Sequence, residues 1–214
     1  MNRVLRKRLP RDLKSNFLRY LALVLLIIMG MYVVISIVGA ADTIIAGSTA
    51  KAEENHLEDG QFEVLFPLTD SQETELADTE IDLEKMFSMD MEAEEGSTIR
   101  LMKNRENINL IDLDEGHLAK NSGEIVLEKR YCAEHGLKTG DHITISDLKF
   151  KIVGIGSTPD YDMPTQTFSD MAVESKRFGT AFITEKQYEE IKENKSSRAE
   201  NYCYAYRLND SGIT

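Results

Sequence analysis

KTGDHITISDLKFKIVGI, residues 138–155, is the stretch on which the fold reading turns. Lys138-Thr139-Gly140-Asp141 makes a tight turn into a strand at Ile143–Ser146. Asp147 marks a second turn into a strand at Lys149–Ile155, so the stretch reads as a β-hairpin. Working upstream, Lys129–His135 reads as a short helix ended by Gly136, where a positive φ costs little. A strand is expected before it at Glu124–Leu127. Others are expected at Leu83–Met91, Thr98–Met102 and Ile108–Leu113. Gln61–Phe66 alternates, with Phe62, Val64 and Phe66 on one face and Pro67 ending the strand. Ser71–Ala77 is a short surface helix or a loop.

Downstream of the hairpin, Gly179–Ile183 reads as a strand. Thr184 then caps a helix with Gln187 three residues on, and Tyr188 and Ile191 supply its apolar face. Asn201–Leu208 closes the chain with a β-rich stretch. Many strands with interspersed helices, and no regular βαβ rhythm, predict an α+β fold with a mixed or antiparallel sheet over residues 58–214.

Ahead of this domain, Tyr20–Ala41 reads YLALVLLIIMGMYVVISIVGAA, without a charged residue. As a helix it would be about 33 Å long, enough for a hydrocarbon core of about 30 Å. Residues 42–57 have good helix formers late on and are expected to continue it as a stalk that stops at Asp59-Gly60. Residues 1–19 carry Arg3, Arg6, Lys7, Arg8, Arg11, Lys14 and Arg19 against the single acid Asp12. The positive-inside rule then places the N-terminus in the cytoplasm and residues 42–214 outside the lipid bilayer. A cleaved secretory signal is the rival reading, since Val38-Gly39-Ala40-Ala41 supplies small residues. The apolar run, however, exceeds the about 7–15 residues of a signal core. The leader itself reads equally as an amphipathic helix kinked at Pro10 or as a flexible basic stop sequence.

The whole chain has 25 Lys and Arg against 37 Asp and Glu, for a net charge of −12. With the bases concentrated in the leader, the exported part is strongly acidic. It would be repelled by phosphate backbones, which excludes nucleic acid as a partner.

Taken together, these signals resemble a known family. NSGEIVLEKRYCAEHGLKTGDHITISDLKFKIVGIGSTPDYD (121–162) is similar to the extracytoplasmic core of FtsX-like (MacB-type) ABC transporter permeases. The matching positions are Gly123 and Glu124 before a strand, Gly136 after the short helix, Gly140 and Asp141 in the turn, Gly154, and Pro159-Asp160-Tyr161. RLPRDLKSN (8–16), EDGQFEVLFPL (58–68), GSTIRL (96–101) and FGTAFITEKQY (178–188) fit the large Firmicutes-type members in the same order. The resemblance implies an α+β core between membrane helices and a separate cytoplasmic ABC ATPase as partner. It also implies further permease helices or a second permease subunit, and motion of the outer domain driven by the ATPase. Such a permease has three more membrane helices, so the resemblance reads this chain as a truncated product or a fragment. The alternative is a single-pass anchored binding or sensory domain.

No catalytic constellation emerges, and no enzyme activity or cofactor is expected. No Gly-Lys-Ser/Thr phosphate loop is present, Gly154-Ile155-Gly156 opens no helix as a dinucleotide fingerprint would, and no GxSxG elbow occurs. The acids Asp90, Glu92, Glu94 and Glu95 lack the spacing of a calcium loop and read as a solvated edge. Cys132 and Cys203 are the only thiols, compatible with free thiols, a disulfide, or a Cys₂His₂ site with His135 and His142.

Overall fold

The computed structural model describes residues 14–79, 81–166, 173–194 and 200–208. The basic leader therefore lies outside the described residues up to position 13. The chain divides into two units, Met1–Ala50 and Lys51–Thr214. In the first, an unbroken helix α1 (Phe17–Glu54) begins and runs on into the second. Its 38 residues correspond to about 57 Å. It is the one helix among the described residues long and apolar enough to cross a membrane. The helix ends at Glu54, three residues short of the expected stalk, because His56 adopts a left-handed φ of 50°.

The second unit is α+β. Its strands are β1 (Gly60–Val64), β2 (Ile81–Lys85), β3 (Ser88–Glu92), β4 (Thr98–Lys103), β5 (Asp112–Gly116), β6 (Glu124–Glu128), β7 (His142–Ile145), β8 (Leu148–Ser157), β9 (Phe178–Ile183) and β10 (Glu200–Leu208). Three helices accompany them: α2 (Asp70–Ala77), α3 (Lys129–His135) and α4 (Glu185–Glu193). The sheet runs β1-β10-β3-β4-β9-β6-β8-β5, with β2 also on β10 and β7 also on β8. It is mixed: β4 with β9 and β6 with β8 are parallel, and the other pairings are antiparallel.

The β7–β8 hairpin forms as the sequence predicts. Ser146 and Asp147 take φ of 45° and 69°, the double left-handed geometry of a tight two-residue turn. The expected strand at Leu83–Met91 divides into β2 and β3, yet both face β10 in one continuous register. Lys85 opposes Tyr204, Ser88 opposes Asn201, and the Met86 N–H between them donates to Cys203 O at 2.8 Å.

Central strands β9 and β6 are buried on both faces, which is why their sequences lack polar alternation. On one face Ile99, Leu101, Ile125, Leu127, Ala181 and Ile183 pack with Tyr131 and Cys132 of α3 and with Tyr188 and Ile191 of α4. On the other, Met102, Val126 and Phe182 pack under Ile111, Leu113, Leu118 and Tyr161, which come from irregular chain and β5.

Three expectations change. Ile108–Leu113 is not a strand: Ile108 is buried against Met86 and Ala205, Asn109 is left-handed, and β5 begins only at Asp112. Phe66 does not join Phe62 and Val64 on the core, because β1 ends at Val64 and Leu65 and Phe66 are 89% and 81% exposed. The Thr184–Gln187 capping box is only half made. Thr184 accepts from the Gln187 N–H, but the Gln187 side chain accepts the Gly123 N–H at 2.8 Å instead. The full reciprocal box forms at Thr69 and Gln72, which start α2.

Candidate functional site: the corner where the long helix ends

The nine positions that the sequence resemblance singled out mostly gather along and around β8. Gly123 O accepts the Lys151 N–H, the Gly140 N–H donates to Ile152 O, and the Ile152 N–H donates to Asp141 O. Asp141 also accepts the Lys138 N–H at 2.8 Å, closing the turn. Gly154 lies in β8 itself, where a Cβ would meet His117 O at 2.6 Å, so only glycine allows that approach. Gly136 ends α3 at φ 65°. Glu124, at the head of β6, accepts the backbone N–H groups of Lys120 and Asn121 and the Asn121 side chain. The Asn121 side-chain bond, then those N–H groups, hold its pKa down at about 2.

Pro159–Tyr161 forms a short turn after β8 and brings two arginines together with two acids. Arg105 pairs with Asp160 at 3.2 Å, both side chains almost wholly buried at 2% and 6% exposure. Its guanidinium also meets the sulfurs of Met86 and Met102 and lies 5.7 Å from the Phe182 ring centre. Arg105 Nε and Asp160 Oδ1 have no further hydrogen-bond partner among the described residues. Arg100 grips Asp90 through two bonds of 2.7 and 2.9 Å and donates to the Tyr161 hydroxyl at 3.2 Å. Burial opposes its charge, but these partners outweigh burial and its pKa is raised.

Close to this buried pair, a second set of polar bonds holds the segment after α1. His56 Nδ1 bonds Asn107 O at 2.8 Å. The Asn109 N–H donates to His56 O at 3.0 Å, and the Leu110 N–H to Asn55 O at 2.8 Å. Asn109 and Glu58 exchange two bonds: the Glu58 N–H to Asn109 Oδ1, and Asn109 Nδ2 to Glu58 Oε2. Asn109 is fully buried with φ 52°, a conformation asparagine tolerates better than most residues. Burial raises the Glu58 pKa, with the nearby Asp160 charge adding to it against the Asn109 hydrogen bond. In the last helical turn, Lys51 reaches Asp112 at 2.5 Å. Asp59 then fixes the start of β1, its N–H on Tyr206 O and its carboxylate on the Leu208 N–H.

The sequence reading singled out Asp160 and Tyr161 but missed Arg105, Asn109, Glu84 and Glu58. Arg105 is signalled only by the gap between the expected strands, at residues 103–107, and Glu58, Glu84 and Asn109 carry no signal. Both cysteines are free: Cys132 is buried under the sheet and Cys203 bonds Gln61. Burial raises their pKa values to about 12 and about 11, so both are poor thiolates at neutral pH. They lie in separate apolar clusters, and no group of three or more His, Cys, Asp or Glu among the described residues is placed to hold a metal.

Among solved structures, this chain is similar in fold to domains of three transport-related proteins. One is the extracellular domain of the transporter YknZ from Gram-positive bacteria, at 7% identity and a TM-score of 0.40, over 71% of this chain and 85% of that one. A second is the periplasmic region of MacB from Actinobacillus actinomycetemcomitans, at 8% identity and 0.39, over 73% and 78%. A third, at 13% and 0.34 over 61% and 60%, is a domain of a protein described as a permease from Porphyromonas gingivalis. The likeness is one of fold alone. No protein-family profile and no curated relative matches it.

Proposed function

We propose that this chain supplies a membrane helix and the outer core domain of an ABC transporter permease. In this reading residues 1–19 are a cytoplasmic leader, 20–41 the span, 42–57 a stalk and 58–214 the extracytoplasmic domain. An ATPase in the cytoplasm hydrolyses ATP. Other permease helices or a second permease subunit complete the membrane part, and displacement of the stalk moves the outer domain for export or force transmission. The chain itself does mechanical work and carries out no catalysis.

The observation that supports this most is the end of α1. The helix is apolar over its first half and continuous to Glu54, and the residues that follow are bonded into the domain at Asn107, Asn109 and Leu110. A flexible tether, such as a passive anchor needs, would be Gly- and Ser-rich with few fixed partners. Gly123, Glu124, Gly136, Gly140, Asp141, Gly154, Pro159, Asp160 and Tyr161 serve in this reading as the stiff frame around β8. The test is coexpression of the full-length gene with the ATPase encoded beside it, followed by purification in detergent. A stable ATPase complex is expected. Its absence would overturn the permease reading in favour of the anchored binding domain.

A further inference from the structure

Glu84 stands on β2 opposite Ala205 of β10, and its carboxylate does not face solvent idly. Three consecutive backbone N–H groups converge on it: Glu106 at 2.8 Å, Asn107 at 2.9 Å and Ile108 at 2.5 Å. Successive N–H groups curled around one anion form a nest, and a charged acceptor makes each bond stronger than a neutral one. The next residue in chain, Asn109, is the one that turns left-handed and exchanges two bonds with Glu58. Asn107, whose N–H lies in the nest, offers its carbonyl to His56. One stretch of five residues, 106–110, therefore holds Glu84 through 106–108 and the segment after α1 through Asn107, Asn109 and Leu110.

We propose that Glu84 is the positioning residue that latches the end of α1 to the β2–β10 corner. Without its carboxylate, the N–H groups of residues 106–108 have no other hydrogen-bond acceptor among the described residues to fix their curl. The shape that presents Asn109 and Leu110 to Asn55, His56 and Glu58 is then lost. The purpose assigned to the latch, passing helix displacement to β10, rests on the permease reading; its existence does not. Ile108 buried against Met86 and Ala205 is the apolar pin at the same place, so the latch and the strand pair move as one.

The test is amide hydrogen exchange on the full chain in detergent micelles, comparing wild type with Glu84→Ala. Faster exchange at residues 106–108 follows from any account. The latch requires in addition about tenfold faster exchange at Glu58, Asn109 and Leu110, with 124–128 and 178–183 unchanged. Acceleration confined to 106–108, or spread over the whole domain, would overturn it. Should Glu84→Ala fail to fold, Asn109→Gly keeps the left-handed backbone and removes only the two side-chain bonds. It should free Glu58 while 106–108 stay slow, and an unchanged Glu58 amide would sink the proposal. ATPase copurification with the wild-type chain is read separately. Its failure would remove the permease reading and leave the exchange result standing.

Discussion

The core beneath α3 and α4 and the corner that receives the end of α1 are built from opposite materials. The core packs Ile99, Leu101, Ile125, Leu127 and Ala181, all fully buried, against two aromatic anchors, Tyr131 and Tyr188. Its cohesion is area removed from water, which is non-directional and tolerant of small shifts. The corner holds together by directional bonds between backbone and a few polar side chains, with one buried ion pair at its centre. Such bonds fix a geometry more than they add net stability. A region that must keep a precise connection under load is better served by the second material, and one that must simply stay folded by the first.

The difference can be broken at the ion pair first. Asp160→Asn leaves Arg105 charged and buried beside Met86, Met102 and Phe182, and should cost about 3–5 kcal/mol in a denaturant titration. Replacing both partners, as Arg105→Met with Asp160→Leu, should restore much of that loss, since apolar pairs often equal buried ion pairs. On the core side, Leu127→Ala should cost about 2–5 kcal/mol through lost transfer energy and the cavity left behind. If the two regions are independent, combining Leu127→Ala with Asp160→Asn should be additive to about 0.5 kcal/mol. A larger coupling would show that corner and core share one packing unit through Val126 and Phe182. Smaller again is Gly136→Ala. Nothing lies within 4 Å of the added methyl, so the variant isolates the left-handed backbone penalty of about 1–2 kcal/mol in melting experiments.

How legible each region was in the sequence follows from the same contrast. Burial leaves apolar letters, as a period in the hairpin and the Tyr188–Ile191 face of α4 and as a continuous run in β6 and β9, so these could be read directly. The apolar length of Tyr20–Ala41 was equally plain. Directional polar bonds leave no period. Glu84, Asn109 and Arg105 look like ordinary surface residues in the chain, and the apolar letters of Ile108–Leu113 invited a strand that the nest at 106–108 forbids. Phe66 fitted the alternation of β1, but alternation cannot say where pairing with β10 stops. The Gln187 side chain left its capping box for Gly123, a partner 64 residues away that local spacing cannot reveal.

The rim of the core, however, repeats the corner's device in two places, and the more exposed of them, Glu124, offers the finest test. Glu84 collects N–H groups at 106–108, Glu128 collects those of Arg130 and Tyr131 at the start of α3, and Glu124 collects those of Lys120 and Asn121. Each carboxylate fixes a loop where a strand begins, ends or turns, and at Glu124 the part played by charge can be tested. For Glu124 the sign is definite. Its folded pKa is about 2 against an ordinary 4.5, so the folded chain releases the proton more readily than the unfolded one. The stability it contributes is therefore complete above the ordinary value and is lost as pH falls from there through about 2. Glu124→Gln can keep its one oxygen on the two backbone N–H groups but turns the other acceptor into a donor facing the Asn121 side-chain amide. Melting temperatures of wild type and variant should differ modestly at neutral pH and converge as the pH falls toward 2. A gap that persists at the acid end would mean that Glu124 acts by shape alone.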